Sequence, residues 1–460
     1  PLDLPALRAA FHDVVARHES LRTVFPDVDG TPHQLVLSEA EAVFEVREAG
    51  PEQAERELAD TARRPFEIST ELPVRATVWR TGEDEHVLLL LLHHIAADGW
   101  SQGPLLRDLS AAYAARRRGA APEFPPLPVQ YADYALWQRE LLGSEDDPDS
   151  LLSDEVEFWR GALADLPERV ELPTDHPRPA VASHRGDLLE FHLDAELHRS
   201  VVELAVSSGV TVFMVLQAGL AAVLSRLGAG VDVPIGTPVA GRSDAVLEEL
   251  VGFFVNDVVL RTDVSGDPSF AELLARVRET DLAAFAHQEV PFERLVEVLN
   301  PVRSLSHHPL FQVMLDLQDG GGEVTVPGLR AELEGAATGV AKFDLAFSLE
   351  EGPHGLDGVV EYATDLFTAD TVRSIVERFE RLLTAVVADP SRRIGEVDLL
   401  GDDERERILT EWSGTGRPAE PRTFPELFAE QVRRQPDAPA VAFEGTTLDY
   451  TELDRRANRL

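Results

Sequence analysis

The chain contains no cysteine. That excludes a disulfide framework, a zinc knuckle and a thiol nucleophile, so any sulfur chemistry has to arrive on a partner. Of 42 basic residues only Lys342 is a lysine, an arginine bias that reads as base composition rather than binding. Positive charge is scarce altogether: 82 acidic against 42 basic residues leave a formal charge of −40. A surplus of that sign repels phosphate backbones and anionic lipid head groups, so neither nucleic acid nor membrane is an expected partner. By eye no apolar run approaches the length of a bilayer span, and no charged-then-apolar leader opens the chain. The expectation is a soluble, cytoplasmic protein. Internal repeats and low-complexity segments are also absent from view. The first residue is Pro and the last, Leu460, falls inside a helical pattern, which reads as a piece of something longer.

What is present is enough to build more than one core: 460 residues, 44% of them hydrophobic. PALRAAFHDVVARHE carries Leu7, Phe11, Val14 and Val15 on one helical face, and LRTVF after it alternates like a strand. PHQLVL and PVRATVW continue the sheet. Residues 74 to 93 predict a hairpin whose second strand, VLLLLLHH, is buried on both faces. Helix GPLLRDLSAAYAARRRG stops at Gly119, and the connector APEFPPLPVQ leads to helix YADYALWQREL. The pattern restarts after a turn-rich stretch at 170–185. Strands LLEFHL, DVPIGTPVA, FFVNDVVLRTDV, FQVMLDLQ and DLAFSLE then alternate with helices at TVFMVLQAGLAAVLSRLG and near 269–288 and 369–388. Two α/β lobes are expected, at 1–175 and 176–395. A charged linker at 396–424 and the start of a new domain at 425–460, with VAFEGTTLDY as a hairpin, would follow.

The stretch HHIAADGWS, residues 93–101, ends the most apolar strand in two imidazoles and an aspartate. Adjacent strand residues point to opposite faces, so His93 and His94 are expected to divide into one reactive and one structural residue. A metal site is not expected, because His-His-x₃-Asp offers neither an i, i+4 histidine pair nor a third ligand nearby. Gly99, after Asp98, permits a tight turn or a close backbone approach. Ser101 lacks the G-x-S-x-G surroundings of a nucleophile. Arg116, Arg117 and Arg118 end a helix, where cations complement the macrodipole; the alternative is a contact with an acidic partner.

HHIAADGWS resembles the HHxxxDG motif of the condensation domains of nonribosomal peptide synthetases. Further stretches are similar to that family's ordered motifs: RHESLRTVF, YADYALW, VGFFVNDVVLR, HQEVPFE and, more loosely, SHHPLFQV, with His307 and His308 where the family more often has Arg and Asn. The resemblance covers residues 1 to about 395, and the family's first motif would precede Pro1. It implies two chloramphenicol-acetyltransferase-like lobes in a V-shaped pseudo-dimer with a central tunnel. It also implies peptide-bond formation between a donor aminoacyl or peptidyl thioester and an acceptor aminoacyl thioester. In this family the second histidine, here His94, serves as base or positions the amine, His93 supports it, and Asp98 pairs with an arginine to hold the loop beside Gly99. A guanidinium fork is expected to satisfy both carboxylate oxygens, and Arg22 and Arg242 are both candidates. Arg17, Trp100, Ser101, Tyr131, Asn256, Gln288 and Pro291 fall at further motif positions. Asp257 departs from the Thr frequent there.

The same resemblance implies upstream and downstream peptidyl carrier domains as partners, their phosphopantetheine arms bringing the substrates, and no metal or cofactor bound by the chain itself. VAFEGTTLDYTELDRRANRL looks like the opening of an adenylation domain lying downstream in cis. The GWS and YADYALWQ contexts look like domains that accept an L-configured donor. Rival readings are an epimerisation or dual condensation/epimerisation domain and a catalytically silent recruitment domain of the same fold. Heterocyclisation domains replace the two histidines with aspartates.

Overall fold

In the computed structural model the described residues are 1–319, 326–336, 338–413 and 422–460. They divide into two compact units, Pro1–Asp398 and Leu399–Leu460.

The first unit opens with helix α1 (Leu4–Arg17), capped by the Asp3 side chain and burying Leu7, Phe11, Val14 and Val15 as their spacing predicts. LRTVF is mostly not a strand: Glu19–Arg22 is a 3₁₀ turn, and only Thr23–Val24 pairs, with Leu35–Val36. Strand β1 (Val43–Glu48) and helix α2 (Pro51–Ala62) follow, then the hairpin of β2 (Val74–Arg80) and β3 (His86–Leu92). The order β1-β2-β3 puts β2 in the centre, and β2 is the strand buried on both faces. Apolar β3 is an edge strand with only Leu89 buried, which corrects the expectation from VLLLLL. Composition alone cannot tell an edge from a centre.

Helices α3 (Gln102–Arg117), α4 (Tyr131–Leu142) and α5 (Leu151–Ala162) lead to β4 (Gly186–Asp194), α6 (Ala195–Ser208) and α7 (Val212–Leu224). After these come β5 (Asp232–Val239), β6 (Asn256–Asp263), α8 (Phe270–Phe285), α9 (Phe292–Leu299) and β7 (Val313–Asp319). The unit closes with hairpin β8 (Leu345–Gly352) and β9 (Gly355–Ala363) and helix α10 (Ala369–Ala388). The six-stranded sheet runs β6-β5-β7-β8-β9-β4. Val212–Ala229 is long and apolar enough to cross a bilayer, contrary to the reading by eye; 67% of it is buried, and α7 is a core helix packed against α8 and α10.

The two sheets share a plan the sequence hid. In each, a strand runs parallel to the first strand of a hairpin (β1 beside β2, β7 beside β8), and a helix after the hairpin packs on an earlier helix (α3 on α1, α10 on α6). The second unit contains α11 (Asp402–Arg407), where a linker was expected, then α12 (Phe424–Arg434), hairpin β10 (Pro439–Phe443) and β11 (Thr446–Asp449), and α13 (Tyr450–Ala457). The linker's stretch 414–421 lies outside the described residues.

Candidate active site

Strand β3 ends at Leu92, and the chain turns at once into a 3₁₀ turn, His94–Ala96. The two histidines are therefore separated by that turn and not by strand alternation. The His93 main-chain N–H donates to Pro73 O at 2.9 Å, and its Nδ1 accepts the Ile95 N–H at 3.1 Å. A ring nitrogen that accepts carries no proton, so His93 holds its proton on Nε2 when neutral. Its ring meets Phe66 edge-on, and burial, then neighbouring His94, lowers its pKa.

His94 has the opposite tautomer. Its Nδ1 lies 2.9 Å from Ala97 O, and a carbonyl oxygen can only accept, so Nδ1 carries the proton. Nε2 keeps its lone pair and makes no hydrogen bond among the described residues. The side chain is exposed, with its ring edge-on to Phe253, centroids 4.8 Å apart. This is the disposition of a proton acceptor held by its other nitrogen.

Asp98 lies beneath, its side chain 0% exposed. Oδ1 accepts the Ser101 N–H at 2.9 Å and lies 2.7 Å from Ser101 Oγ and 3.1 Å from Arg242 Nη2. Oδ2 accepts the N–H groups of Phe254 at 2.9 Å and Val255 at 3.2 Å. The partner is thus Arg242, but not through a fork on both oxygens: Nη1 of Arg242 goes to the carbonyls of Leu247 and Leu250, and its plane covers Phe254 at 4.1 Å. Arg22 lies elsewhere, bonded to Leu37 O and Glu19. Ser101 is buried between Asp98 and Gly252, which donates to its Oγ at 3.1 Å, and is no free nucleophile. The whole cluster ties the loop after β3 to the segment 252–255 that leads into β6.

Gly99 departs from expectation. Its φ is not positive, and an added Cβ would meet open space. The tight approaches belong to two glycines that sequence reasoning did not single out. Gly241 has φ 63° and would place a Cβ 1.9 Å from Phe254 O; at Gly252 a Cβ would stand 2.4 Å from the Tyr131 ring. Gly252 was visible within VGFFVND, whereas Gly241 sits in an unremarkable turn after β5. Ser20, whose Oγ donates to Val251 O at 2.6 Å, and Phe253 were also missed.

The other motif residues hold the frame. Tyr131 donates to Phe253 O at 2.8 Å, and burial pushes its pKa up to about 12. Asn256 donates to Gln288 O at 2.9 Å and Val290 O at 2.8 Å and accepts the Phe292 N–H at 2.9 Å, fixing the connection that ends with Pro291 capping α9. Arg17 bonds Asp108 at 2.7 Å and Pro125 O at 2.6 Å, away from His94. Trp100 is exposed. Arg116 is bonded to Asp13 and Arg117 to Pro327 O, while Arg118 is exposed. His308 stacks on Phe292 and donates from Nδ1 toward Phe311 O. With His307 and Lys342 it lines a cavity of about 250 Å³ that none of His93, His94 and Asp98 reaches.

The condensation-domain family model matches residues 1–409. The chain belongs to the condensation-domain family. A probable non-canonical nonribosomal peptide synthetase of Salinispora arenicola, CymA, is 56% identical over all of this chain, which spans 6% of that protein. A dimodular nonribosomal peptide synthase of Bacillus subtilis is 49% identical, again over the whole chain, which spans 20% of it. Among solved structures, the X-domain from teicoplanin biosynthesis is 40% identical with a TM-score of 0.82, covering 87% of this chain and 90% of that one. A four-domain nonribosomal peptide synthetase, 24% identical over 96% of this chain and 34% of that one, shares the fold with a TM-score of 0.80. The fold is the two-lobed chloramphenicol-acetyltransferase-like α/β architecture of condensation domains.

Proposed function

We propose that this chain forms a peptide bond between an L-configured donor aminoacyl or peptidyl thioester and an acceptor aminoacyl thioester. Both are carried on phosphopantetheine arms of peptidyl carrier domains in a cytoplasmic nonribosomal peptide synthetase. The observation that carries this reading is the fixed tautomer of an exposed His94, Nδ1–H on Ala97 O and Nε2 free. An α-amino group has a pKa near ~8 and is largely protonated at neutral pH, so the attacking lone pair must be freed. Nε2 accepts that proton as the amine nitrogen attacks the thioester carbonyl carbon. The C–N bond forms and the C–S bond breaks; of the two protons the ammonium nitrogen loses on becoming an amide, one stays on Nε2 until solvent removes it and the other ends on the departing thiolate. Holding two arms together supplies rate as well, because the thioester is already activated. Phosphopantetheine enters as part of the substrates, and the chemistry asks for no metal. An adenylation domain continuing from residue 425 would supply the acceptor amino acid in cis.

A second reading, a recruitment domain without catalysis, draws on the 40% identity to the teicoplanin X-domain, for which a complex with OxyB is known. Intact His94 and Gly99 favour catalysis. The deciding experiment loads defined aminoacyl groups on two carriers and weighs the products intact: a dipeptidyl carrier supports condensation, and two unchanged aminoacyl carriers support recruitment.

A further inference from the structure

At the start of β6 two side chains, a carboxylate and an amide, are held by the chain itself. Asp98 takes five hydrogen bonds and Asn256 makes three. Asp257, the next residue, is half-buried and its carboxylate takes no hydrogen bond and no ion pair among the described residues. A half-buried carboxylate that no group of the chain engages is open to a donor from outside the chain.

Its place in the fold says where that donor stands. Asp257 lies directly across from Pro238, and Val259 across from Gly236; cross-strand partners share a sheet face. On that face the Phe311 ring occupies the space at Gly236, where a Cβ would lie 2.1 Å from it. The opposite face is that of Thr262, which Gln217 of α7 holds at 3.2 Å. Asp257 thus looks away from α7. Four residues before it, Phe253 touches the His94 ring, and four residues of extended chain span at most about 14 Å. The charges that act on its carboxylate are Lys342, ahead of β8, which favours ionisation, and Glu293 of α9, which opposes it. Burial outweighs both and lifts the pKa to about 6, so Asp257 is ionised at neutral pH.

We infer that Asp257 is a specificity-determining residue that accepts a hydrogen-bond-donating, positively charged group, an amine or guanidine, on the side chain of the aminoacyl or peptidyl substrate. The inference rests on the condensation reading. A site built to bond a polar group rejects the analogue that lacks it far more strongly than an apolar pocket distinguishes one methylene.

The test is a competition between two isosteric substrates, ornithyl and norleucyl, loaded in equal amounts first on the donor carrier and then on the acceptor carrier. Products are counted by intact mass. The wild type should favour ornithyl at one of the two positions by at least about tenfold, and Asp257→Asn should bring the product ratio to near one. The ratio is internal, so a general loss of rate in the variant leaves it readable. In the wild type the preference should also fade as the pH drops through about 6, where the carboxylate takes up its proton. A ratio that is the same in the wild type and Asp257→Asn at both positions, or flat from pH 5 to 8, overturns the inference while product formation keeps the condensation reading intact. No product from either substrate overturns both.

Discussion

At the scale of single residues, Asp98 and His94 are neighbours with different physical roles, and the difference is measurable. Asp98 is fully buried and Arg242 nearly so, at 5% exposed. Removing one member of such a pair strands the other charge at a typical cost of ~3–5 kcal/mol. Asp98→Ala should therefore lower the denaturant midpoint markedly and lose activity through a disordered loop; a fully stable, inactive variant would place the carboxylate in the chemistry. The glycines separate in the same way. Gly99→Ala should melt with the wild type, since its Cβ meets open space, whereas Gly241→Ala has to move the Phe254 carbonyl and adopt a left-handed φ, and should melt well below it. Equal melting temperatures for the two variants would contradict this account of the turn after β5.

At the scale of elements, helices with an apolar stripe were legible, and elements whose identity depends on neighbours were not. Helix α1 and the hairpin β2–β3 could be placed from periodicity alone. Helix α2 buries only Ala54, so PEQAERELADTA shows no stripe to read. Strand β9, GLDGVVEYA, is broken by glycines, one of which, Gly358, is required because a Cβ there would stand 2.2 Å from the Phe191 ring. Its strand character comes from pairing on both sides. The site was legible to the extent that it is local: the turn holding His94 follows from HHIAADG, but the choice of Arg242 over Arg22 needed the contact across 144 positions. Between α7 and α8, a buried polar contact makes a further prediction. Gln217 donates to Asp281 Oδ1 at 3.1 Å, and burial lifts Asp281 from its ordinary 3.8 to about 7. The folded state holds this proton where the unfolded chain has lost it, so stability falls as pH rises from about 4 to about 7. Asp281→Asn should flatten that dependence, seen as urea midpoints at pH 5 and pH 8 that lie closer together than in the wild type. An unchanged spacing would mean that the proton is not held.

For the molecule as a whole, the charge of −40 acts on stability and not on fold. Self-repulsion of the compact state is screened once the Debye length falls below about 10 Å, near 0.1 M salt. Thermal midpoints should rise with sodium chloride up to roughly that range and then level off; a midpoint that drops with added salt would show that paired charges such as Arg242 and Asp98 outweigh the surplus. The repeated plan of the two sheets places His94 at the end of an edge strand in one half and ties it, through Asp98, to the start of an edge strand in the other. Neither half holds the site alone.

The central claim is that His94 takes the proton of the attacking amine. Its direct test is single-turnover dipeptide formation by His94→Ala, with both carriers preloaded so that adenylation and loading play no part. A positioned base is typically worth ~10²–10⁴ in rate. The variant should lose about that factor while its melting temperature stays with the wild type, because the exposed ring makes one hydrogen bond, to Ala97 O. Condensation at close to the wild-type rate would contradict it.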